Sequence, residues 1–427
     1  MSSFVFRFAQ IFLFLIPFQF ALAPVSGVDL PFTRVLAPTL FLVWFAVALA
    51  RKKLDIPMNW TAAGLFVFLF FSLASLLYAE RPEWAMRRAL FLLSYLPLFL
   101  VFSSLVREHG PDGARRLLAS FALGAGGAAI VGLFQFGLQF SLGVGRAFHY
   151  WIESVLPFFL GPGFAEAVAE YPSLLVDLGG TTMRASAFFP DPHMLAFFLG
   201  LALPVALGLS LSARHMGSRV LWFFMSLIIF AADILTFSRG GYVGLMLGLV
   251  GAVFLFWFGS WETGKRILFV AGIISVGVLG LVIDTPARDR LLSSFSLDEG
   301  SNEGRLLIFR EAAEHIAARP LGYGLGNYPF AIKPSAEYRE PIYALNLYLD
   351  IATEGGVIAA LAFLVALIAA IIRLARRTNP ILFRLGAISL VIFFGHSLFE
   401  MPLYSVHILP ALCLFLALPA ICDRIKS

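Results

Sequence analysis

The chain is poor in charge and in cysteine. Only 13% of its 427 residues are charged, while 60% are hydrophobic; soluble domains carry about 25% charged residues. So much apolar surface excludes an ordinary water-soluble fold and favours a protein that resides in lipid. The two cysteines, Cys413 and Cys422, both lie in the last apolar segment. They exclude a disulfide framework and a zinc site built on spaced cysteines.

Common catalytic and nucleotide-binding signatures are also missing. There is no P-loop, no Gly-x-Ser-x-Gly elbow and no cluster of histidine and cysteine with metal-ligand spacing. The formal net charge of +5 is modest, and the basic residues fall mostly in short loops between apolar runs. That distribution indicates membrane topology rather than binding to nucleic acid.

Apolar runs of the length of a membrane span recur along the chain. A spanning helix needs about 20 mostly apolar residues. The predicted spans are residues 8–25, 34–50, 61–78, 88–106, 117–140, 193–212, 219–237, 240–258, 266–284, 343–372, 381–398 and 403–422. The pattern predicts an all-α polytopic membrane protein with about 12 transmembrane helices.

Lysine and arginine in the short loops set the orientation, because these residues are enriched on the cytoplasmic side. With the N terminus in the cytoplasm, that side holds Arg51-Lys52-Lys53, Arg107, Arg115, Arg116, Arg214, Arg219, Lys265, Arg266, Arg373, Arg376 and Arg377. The opposite short loops hold only Arg34, Arg239 and a cluster of Arg81, Arg87 and Arg88, which is the exception to the rule. Both termini are therefore expected in the cytoplasm.

This topology divides the chain into five parts. Residues 8–25 are expected to be a retained first helix rather than a cleaved leader, since Pro24 follows the possible cleavage site. The parts are residues 1–140 with spans one to five, 141–192 as an outer amphipathic segment, 193–284 with spans six to nine, 285–342 as a large outer loop, and 343–427 with spans ten to twelve. A helix is expected over residues 303–319 of the large loop.

Charged and polar residues gather at the outer ends of these spans, where charge is costly unless it is paired or functional. The group comprises Arg184, Asp191, His193, Asp233, Arg239, Arg305, Arg310, Asn346, Asp350, Glu354, His396 and Glu400. Asn346, Asp350 and Glu354 are spaced by four, which puts them on one helix face. These residues predict an outward-facing polar cavity.

Each candidate also has a structural interpretation. Arg239 could reach the interface from a helix end, and Arg305 and Arg310 could lie on a solvated helix face. The face of Asn346, Asp350 and Glu354 could pair helices, and His396 could be a packing residue. The run Gly322-Tyr323-Gly324-Leu325-Gly326 lacks a preceding strand and is interpreted as a turn.

The arginines of the cavity suit an anionic lipid. A guanidinium keeps its charge and offers planar donors to phosphate oxygens, and the headgroup of a diphosphate-linked lipid lies at this depth. The outer loops contain no Asp-x-Asp pair, so no metal is expected to hold the phosphates. Arg184, Arg239 and Arg305 are predicted to bind the diphosphate.

Three segments resemble the O-antigen ligase/polymerase superfamily of bacterial membrane proteins. Their residues are Thr236-Phe237-Ser238-Arg239-Gly240-Gly241, Asn302-Glu303-Gly304-Arg305 with Pro320 to Asn327, and Asn346-Leu347-Tyr348-Leu349 through Glu354-Gly355-Gly356. The stretch from Arg184 to Pro192 is also similar. The resemblance covers about residues 180–400 and implies a GT-C-like fold in the bacterial inner membrane.

The resemblance also implies a reaction on the periplasmic face. A glycan on an undecaprenyl or other polyprenyl diphosphate would pass to an acceptor hydroxyl, on lipid A–core for a ligase or on a repeat unit for a polymerase. Arginines matching Arg239 and Arg305 would hold the diphosphate without a cofactor. Asn346, Asp191 and Glu400 are expected to support the site.

One position departs from the family pattern. The histidine expected before Asn346 is replaced by Leu345, which cannot take a proton. Glu354, Asp350 or another acid could be the base, His193 or His396 could supply an imidazole, or the chain could be a member with altered or lost activity. A transporter of lipid-linked glycan and a non-catalytic partner in glycan assembly are the other functions that the sequence leaves open.

Overall fold

The computed structural model describes residues 3–22, 30–54, 56–170, 173–257, 288, 300–336, 340, 342–376 and 378–421. The span predicted over 266–284, Lys265, Arg266 and Cys422 lie outside these residues, as does nearly all of 285–299. Helices dominate the described chain. The first half contains α1 (Ser3–Leu15), α2 (Thr33–Ala50), α3 (Trp60–Ala74), α4 (Pro82–Tyr95), α5 (Leu98–Leu142), α6 (Val144–Tyr150), α7 (Leu156–Leu160) and α8 (Pro162–Glu170).

The second half continues the helical pattern. It contains α9 (Pro192–Leu211), α10 (Met216–Ile234), α11 (Arg239–Trp257), α12 (Gly300–Ala318), α13 (Tyr328–Ile332), α14 (Leu347–Gly355), α15 (Val357–Leu374), α16 (Ile381–His396) and α17 (Ile408–Ala417). Two short antiparallel pairs, β1 (Ala21–Leu22) with β2 (Leu30–Pro31) and β3 (Leu175–Asp177) with β4 (Thr181–Met183), are the strands of the described residues. The all-α class is therefore confirmed at the level of a mostly helical protein.

Six helical stretches among the described residues are long and apolar enough to cross a membrane. They are Thr33–Ala50, Trp60–Tyr78, Pro82–Leu142, Pro192–Leu211, Met216–Ile234 and Val357–Leu374. Shorter apolar helices cover Ser3–Phe18, Arg239–Leu255, Ile381–His396 and Ile408–Ile421. Large side chains such as Phe70, Phe134 and Phe224 are exposed on this bundle, as expected for surfaces that face lipid.

The centre of the bundle is formed by α5 and α9. In α9, 78% of the apolar stretch is buried, against 28% in α2 and in α10. Helix α5 packs against α1, α10 and α17, while α9 packs against α10 and α16. At Gly110 the backbone of α5 leaves helical geometry, with φ of 64°, and Pro111 follows. This kink falls between the spans predicted over 88–106 and 117–140.

Local sequence determines where the helices near the outer polar group begin. The Asp191 side chain accepts a hydrogen bond of 2.9 Å from the Met194 amide, and Pro192 occupies the first turn of α9. The Asn346 side chain accepts from the amides of Tyr348 and Leu349 at the start of α14. Both are N-caps, which satisfy amides that have no partner within the helix.

The single helix predicted over 343–372 was wrong. Helix α14 ends at Gly355, and α15 begins at Val357 after a turn at Gly356, whose φ is 87°. A left-handed residue interrupts helical geometry and is easily adopted only by glycine. The hydrophobic pattern continues through this turn, so composition alone does not reveal it. The glycine run at 322–326 is a turn, with positive φ at its three glycines.

Gly356→Ala is expected to lower the free energy of unfolding by about 1–3 kcal/mol, because alanine resists positive φ. A Cβ here would also meet the Leu321 carbonyl oxygen at 2.7 Å. Gly137→Ala in α5 is the control, because a Cβ there meets nothing within 4 Å. Thermal unfolding in detergent measures both variants. Equal transition temperatures for the two would contradict the proposed strain.

Candidate functional site

A histidine–serine cluster forms where the ends of α9, α11 and α16 meet. His193 lies in the first turn of α9, Ser238 immediately precedes α11, and His396 ends α16. The Ser238 Oγ is 2.8 Å from His193 Nδ1 and 3.2 Å from His396 Nε2. A single hydroxyl therefore joins two imidazoles that are 203 positions apart, as the difference between 396 and 193 shows.

Glu400 extends this cluster towards the loop helix α12. One of its oxygens, Oε1, lies 3.7 Å from His193 Nε2 and 3.5 Å from Arg305 Nη2. The three side chains keep between 15% and 20% of their surface exposed. The cluster is thus accessible from outside, whereas His396 is fully packed.

Burial dominates the electrostatics of Glu400. Burial, helped by the nearby Asp191, raises the pKa of its carboxyl against the opposing charges of Arg305 and Arg184, and the resulting pKa is about 8. Near neutral pH a substantial fraction of Glu400 therefore carries a proton. Burial also raises the pKa of Asp191, against the hydrogen bond from the Met194 amide.

Arg184 lies next to the histidine–serine cluster and is held by backbone carbonyls. Its Nε donates to the Thr236 carbonyl at 2.7 Å and its Nη1 donates to the Ser173 carbonyl at 2.9 Å. Its Nη2 lies 3.5 Å from His193 Nε2. With 4% of its surface exposed, Arg184 fixes the backbone before α11 and brings a positive charge to His193.

Arg239 opens α11 next to Ser238, and only 5% of its surface is exposed. The alternative in which it reaches out to the interface does not fit this burial. Gly240 follows it at a close approach of α11 to α16, since a Cβ there would lie 2.7 Å from the His396 ring. A larger residue at 240 would therefore force His396 or the adjacent backbone to shift.

A second group, the Arg88–Glu354 cluster, lies where α4 meets α14. Arg88 Nη1 donates to Glu354 Oε1 in an ion pair whose side chains are 14% and 5% exposed. The Tyr404 hydroxyl donates to Glu354 Oε2 at 3.4 Å. The Arg88 guanidinium lies over the Tyr404 ring, 4.5 Å from its centre, which adds a cation–π contact.

The other two members of the predicted helix face have different partners. Asn346 caps α14 and donates from Nδ2 to the Leu398 carbonyl at 3.1 Å. Asp350 Oδ1 accepts from the Ala344 amide at 2.8 Å. Burial raises the pKa of Asp350 to about 7, an effect that this hydrogen bond opposes. Its Oδ2 has no hydrogen-bond partner among the described residues, and Asp350 and Glu354 both line a small, largely apolar cavity.

Three non-glycine residues beside these clusters adopt a left-handed backbone conformation. Ala187, Phe237 and Leu345 have φ of 48°, 48° and 50°. Such geometry costs about 1–3 kcal/mol per residue and persists only where the surroundings enforce it. Leu345, at the position where a histidine was expected, forms the turn that leads into α14.

The structure therefore brings together only part of the predicted set. Arg184, His193, Arg305 and Glu400 meet in one chain of contacts, with Asp191 nearby and Arg239 adjacent through Ser238. Glu354 is instead held by Arg88, which fits the alternative that this helix face pairs helices. No group of three or more metal-ligating side chains occurs in the part of the chain that the structure describes.

Two residues of the site were missed from the sequence. In the sequence Arg88 is only an exception to the orientation rule, and that exception is the available signal, because an arginine near the end of an apolar helix needs a partner. Ser238 was quoted within the Thr236–Gly241 motif but received no role. Its two histidine partners lie far away in the chain, so no local pattern identifies them.

The O-antigen ligase family model matches residues 223–364 of this chain. The matched part contains Ser238, Arg239, Arg305 and Glu354, whereas Arg88, His193 and Glu400 lie outside it. No curated protein matches the chain. The family match thus covers the three sequence motifs, whereas the structure adds Arg88, His193 and Glu400 to the site.

Removing either partner of the Arg88–Glu354 pair is expected to lower the free energy of unfolding by about 3–5 kcal/mol, because a buried charge loses its counter-charge. Unfolding of Arg88→Ala, Glu354→Ala and the double variant forms a double-mutant cycle. The double variant should lose clearly less than the sum of the single losses. A fully additive cycle would contradict the pairing, and a Glu354→Gln variant that keeps its stability but loses activity would indicate a catalytic carboxylate.

The stability of the protein is expected to fall as pH rises towards 8. Folded Glu400 holds its proton up to about pH 8, whereas its ordinary pKa is 4.5, so the folded state binds more protons within this interval. Because the pKa of Asp350 is about 7 and that of Glu400 is about 8, Glu400 contributes most of the pH dependence of stability between pH 7 and 8. Glu400→Gln should flatten the unfolding temperature between pH 7 and 8, while the exposed Glu166→Gln should not. An unchanged slope in Glu400→Gln would argue against the buried acid.

Proposed function

We propose that this chain, whose match over residues 223–364 supports its membership of the O-antigen ligase/polymerase superfamily, transfers a glycan from a polyprenyl diphosphate to an acceptor hydroxyl. Membership implies a glycosyltransferase-type enzyme in a bacterial membrane. The proposed reaction rests on one observation, the chain of contacts Arg184–His193–Glu400–Arg305. In this chain the imidazole of His193, a proton acceptor, lies between the guanidinium groups of Arg184 and Arg305.

The proposed topology has twelve spans in the inner membrane with both termini in the cytoplasm and the active face in the periplasm. In this topology, the segments 141–192 and 285–342 lie outside. The N termini of α9 and α11 and the C termini of α10 and α16 all meet at the histidine–serine cluster. The basic residues Arg214, Arg219, Arg373 and Arg376 lie in the loops and helix turns at the opposite ends of α9, α10 and α15. This polarity follows the cytoplasmic enrichment of arginine.

Arginines would bind the donor diphosphate without a metal. Arg305 is the most accessible of them, and its contact with Glu400 would open when a phosphate arrives, because a dianionic group attracts the guanidinium more strongly than a carboxyl that is partly protonated near neutral pH. Arg239, buried at the start of α11, adds fixed charge on the same side. As the anomeric bond breaks, these charges would stabilise the leaving diphosphate.

His193 is the base that the geometry favours. Its Nε2 would take the proton of the acceptor hydroxyl, the acceptor oxygen would bond to the anomeric carbon, and the electron pair of the broken bond would leave with polyprenyl diphosphate. Glu354 fits this role less well, because a proton on its carboxylate would strand the Arg88 charge. Asp350 is more deeply buried than His193. An imidazole from α9 would thus replace the one that Leu345 lacks.

The acceptor would be lipid A–core for a ligase or a glycan repeat unit for a polymerase. Both acceptors present a sugar hydroxyl, which is what His193 would activate. A purified preparation incubated with polyprenyl-diphosphate oligosaccharide and either acceptor separates the two reactions by the product formed. Movement of the lipid-linked glycan across proteoliposomes without transfer would instead favour a transporter.

Arg305→Ala is expected to reduce release of polyprenyl diphosphate by at least about 100-fold, because removing one stabilising donor from an active site costs this much. Arg310→Ala is the matched control on the same helix. Arg310 is 80% exposed in its side chain and pairs only with Glu314 among the contacts described, so its loss should leave turnover within about twofold. Equal turnover in the two variants, with both folded, would overturn the assignment of the site.

A further inference from the structure

We propose that Ser238 is a positioning residue that fixes the tautomer of His193, with His396 as its fixed anchor. The inference rests on the proposed role of His193 as base and adds a residue to that site. Ser238 contacts both imidazoles, and it meets His193 at Nδ1, whereas Glu400 lies near the other ring nitrogen, Nε2. Ser238 therefore acts through the histidine rather than on the substrate.

The hydrogen-bonding capacity of the Ser238 hydroxyl constrains its partners. A hydroxyl has one hydrogen to donate and two lone pairs to accept. The Gly241 amide donates to Ser238 Oγ at 3.1 Å and occupies one lone pair. One hydrogen and one lone pair remain for two histidines. One imidazole nitrogen must therefore donate to Ser238, and the other must accept from it.

Arg184 selects between the two possible directions. A guanidinium only donates hydrogen bonds, and Arg184 Nη2 lies 3.5 Å from His193 Nε2. This nitrogen must therefore carry a lone pair, so the proton of neutral His193 is on Nδ1. His193 Nδ1 then donates to Ser238, and Ser238 donates to His396 Nε2. The unprotonated Nε2 is the atom that the proposed reaction needs.

His396 is suited to hold one end of this chain. Its ring stacks on Phe197 with centroids 3.5 Å apart and planes inclined by 4°. The side chain is buried, and its Nδ1 has no hydrogen-bond partner among the described residues. A second proton on His396 would place an unpaired positive charge in this site near Arg305. His396 therefore accepts a hydrogen bond but is a poor destination for the proton.

The backbone around Ser238 keeps the hydroxyl in place. Phe237 before it is left-handed, the Ser238 amide donates to Thr236 Oγ1 at 3.3 Å, and the Thr236 carbonyl accepts from Arg184. Arg184 thus binds both the turn that carries Ser238 and the imidazole that Ser238 contacts. Without the hydroxyl, the Nδ1 proton of His193 would lose this acceptor, and the long 3.5 Å contact with Arg184 would favour that tautomer less strongly than the two contacts together.

The test combines kinetics with nitrogen NMR on the full-length protein in detergent, with ¹⁵N-labelled histidine. In the unmodified protein, both His193 and His396 should carry their proton on Nδ1, with assignments from His193→Gln and His396→Gln. Ser238→Ala should shift His193 towards the Nε2-protonated form and lower kcat about 10–100-fold, the effect known for residues that orient metal-binding histidines, with KM nearly unchanged. Ser238→Thr, which keeps a hydroxyl, should restore both.

Ser389→Ala is the matched control. Its buried hydroxyl on α16 donates to the Leu201 carbonyl at 2.7 Å and contacts neither histidine, so tautomers and kcat should stay unchanged. An Nε2-protonated His193 in the unmodified protein would overturn the inference, even if Ser238→Ala does not fold. Full turnover in His193→Gln would instead reject the proposed base, and the tautomer readout would still decide the role of Ser238.

Discussion

The site depends on one constraint, which is that charge removed from water inside an apolar bundle needs a counter-charge or a hydrogen-bond partner. Arg184 meets it with two backbone carbonyls, and Arg88 meets it with Glu354. Arg305 shares Glu400 with His193 and keeps some exposure. The arginines whose hydrogen bonds are satisfied by the protein thus hold its backbone and helices together, whereas Arg305, which shares its partner, is the one that the proposed function assigns to the substrate.

Sequence reasoning was most successful where the signal is local. Apolar length predicted most helices within a few residues, and the motif around Ser238 and Arg239 was correctly placed at the start of α11. The turn at Gly356 was missed, because the apolar pattern runs through it and only the backbone conformation interrupts it. Helix existence follows from hydrophobicity, whereas a helix break here follows from a single glycine packed against Leu321.

Sequence reasoning was least successful in assigning partners. Spacing by four predicted Asn346, Asp350 and Glu354 on one helix face that lines a polar cavity, but only Asp350 and Glu354 lie on α14, because Asn346 precedes the helix as its N-cap. In the structure one caps the helix, one accepts a backbone amide and one binds Arg88. A face shared along one helix does not fix the partner that each side chain meets, because that partner comes from another element. Glu400 and His193 show the same limit, since 207 positions separate them.

Leu345 has a backbone role at the position where the family resemblance predicts a histidine. Its left-handed conformation makes the turn in which Ala344 donates to Asp350 and Leu347 donates to the Ser397 carbonyl at 2.9 Å. That second bond, with the one from Asn346 to Leu398, ties α14 to the segment leading to Glu400. Leu345 adopts this unfavourable backbone conformation without supplying an imidazole. The turn thus ties α14 to the segment that carries Glu400, and in the proposed reaction the proton acceptor comes from α9.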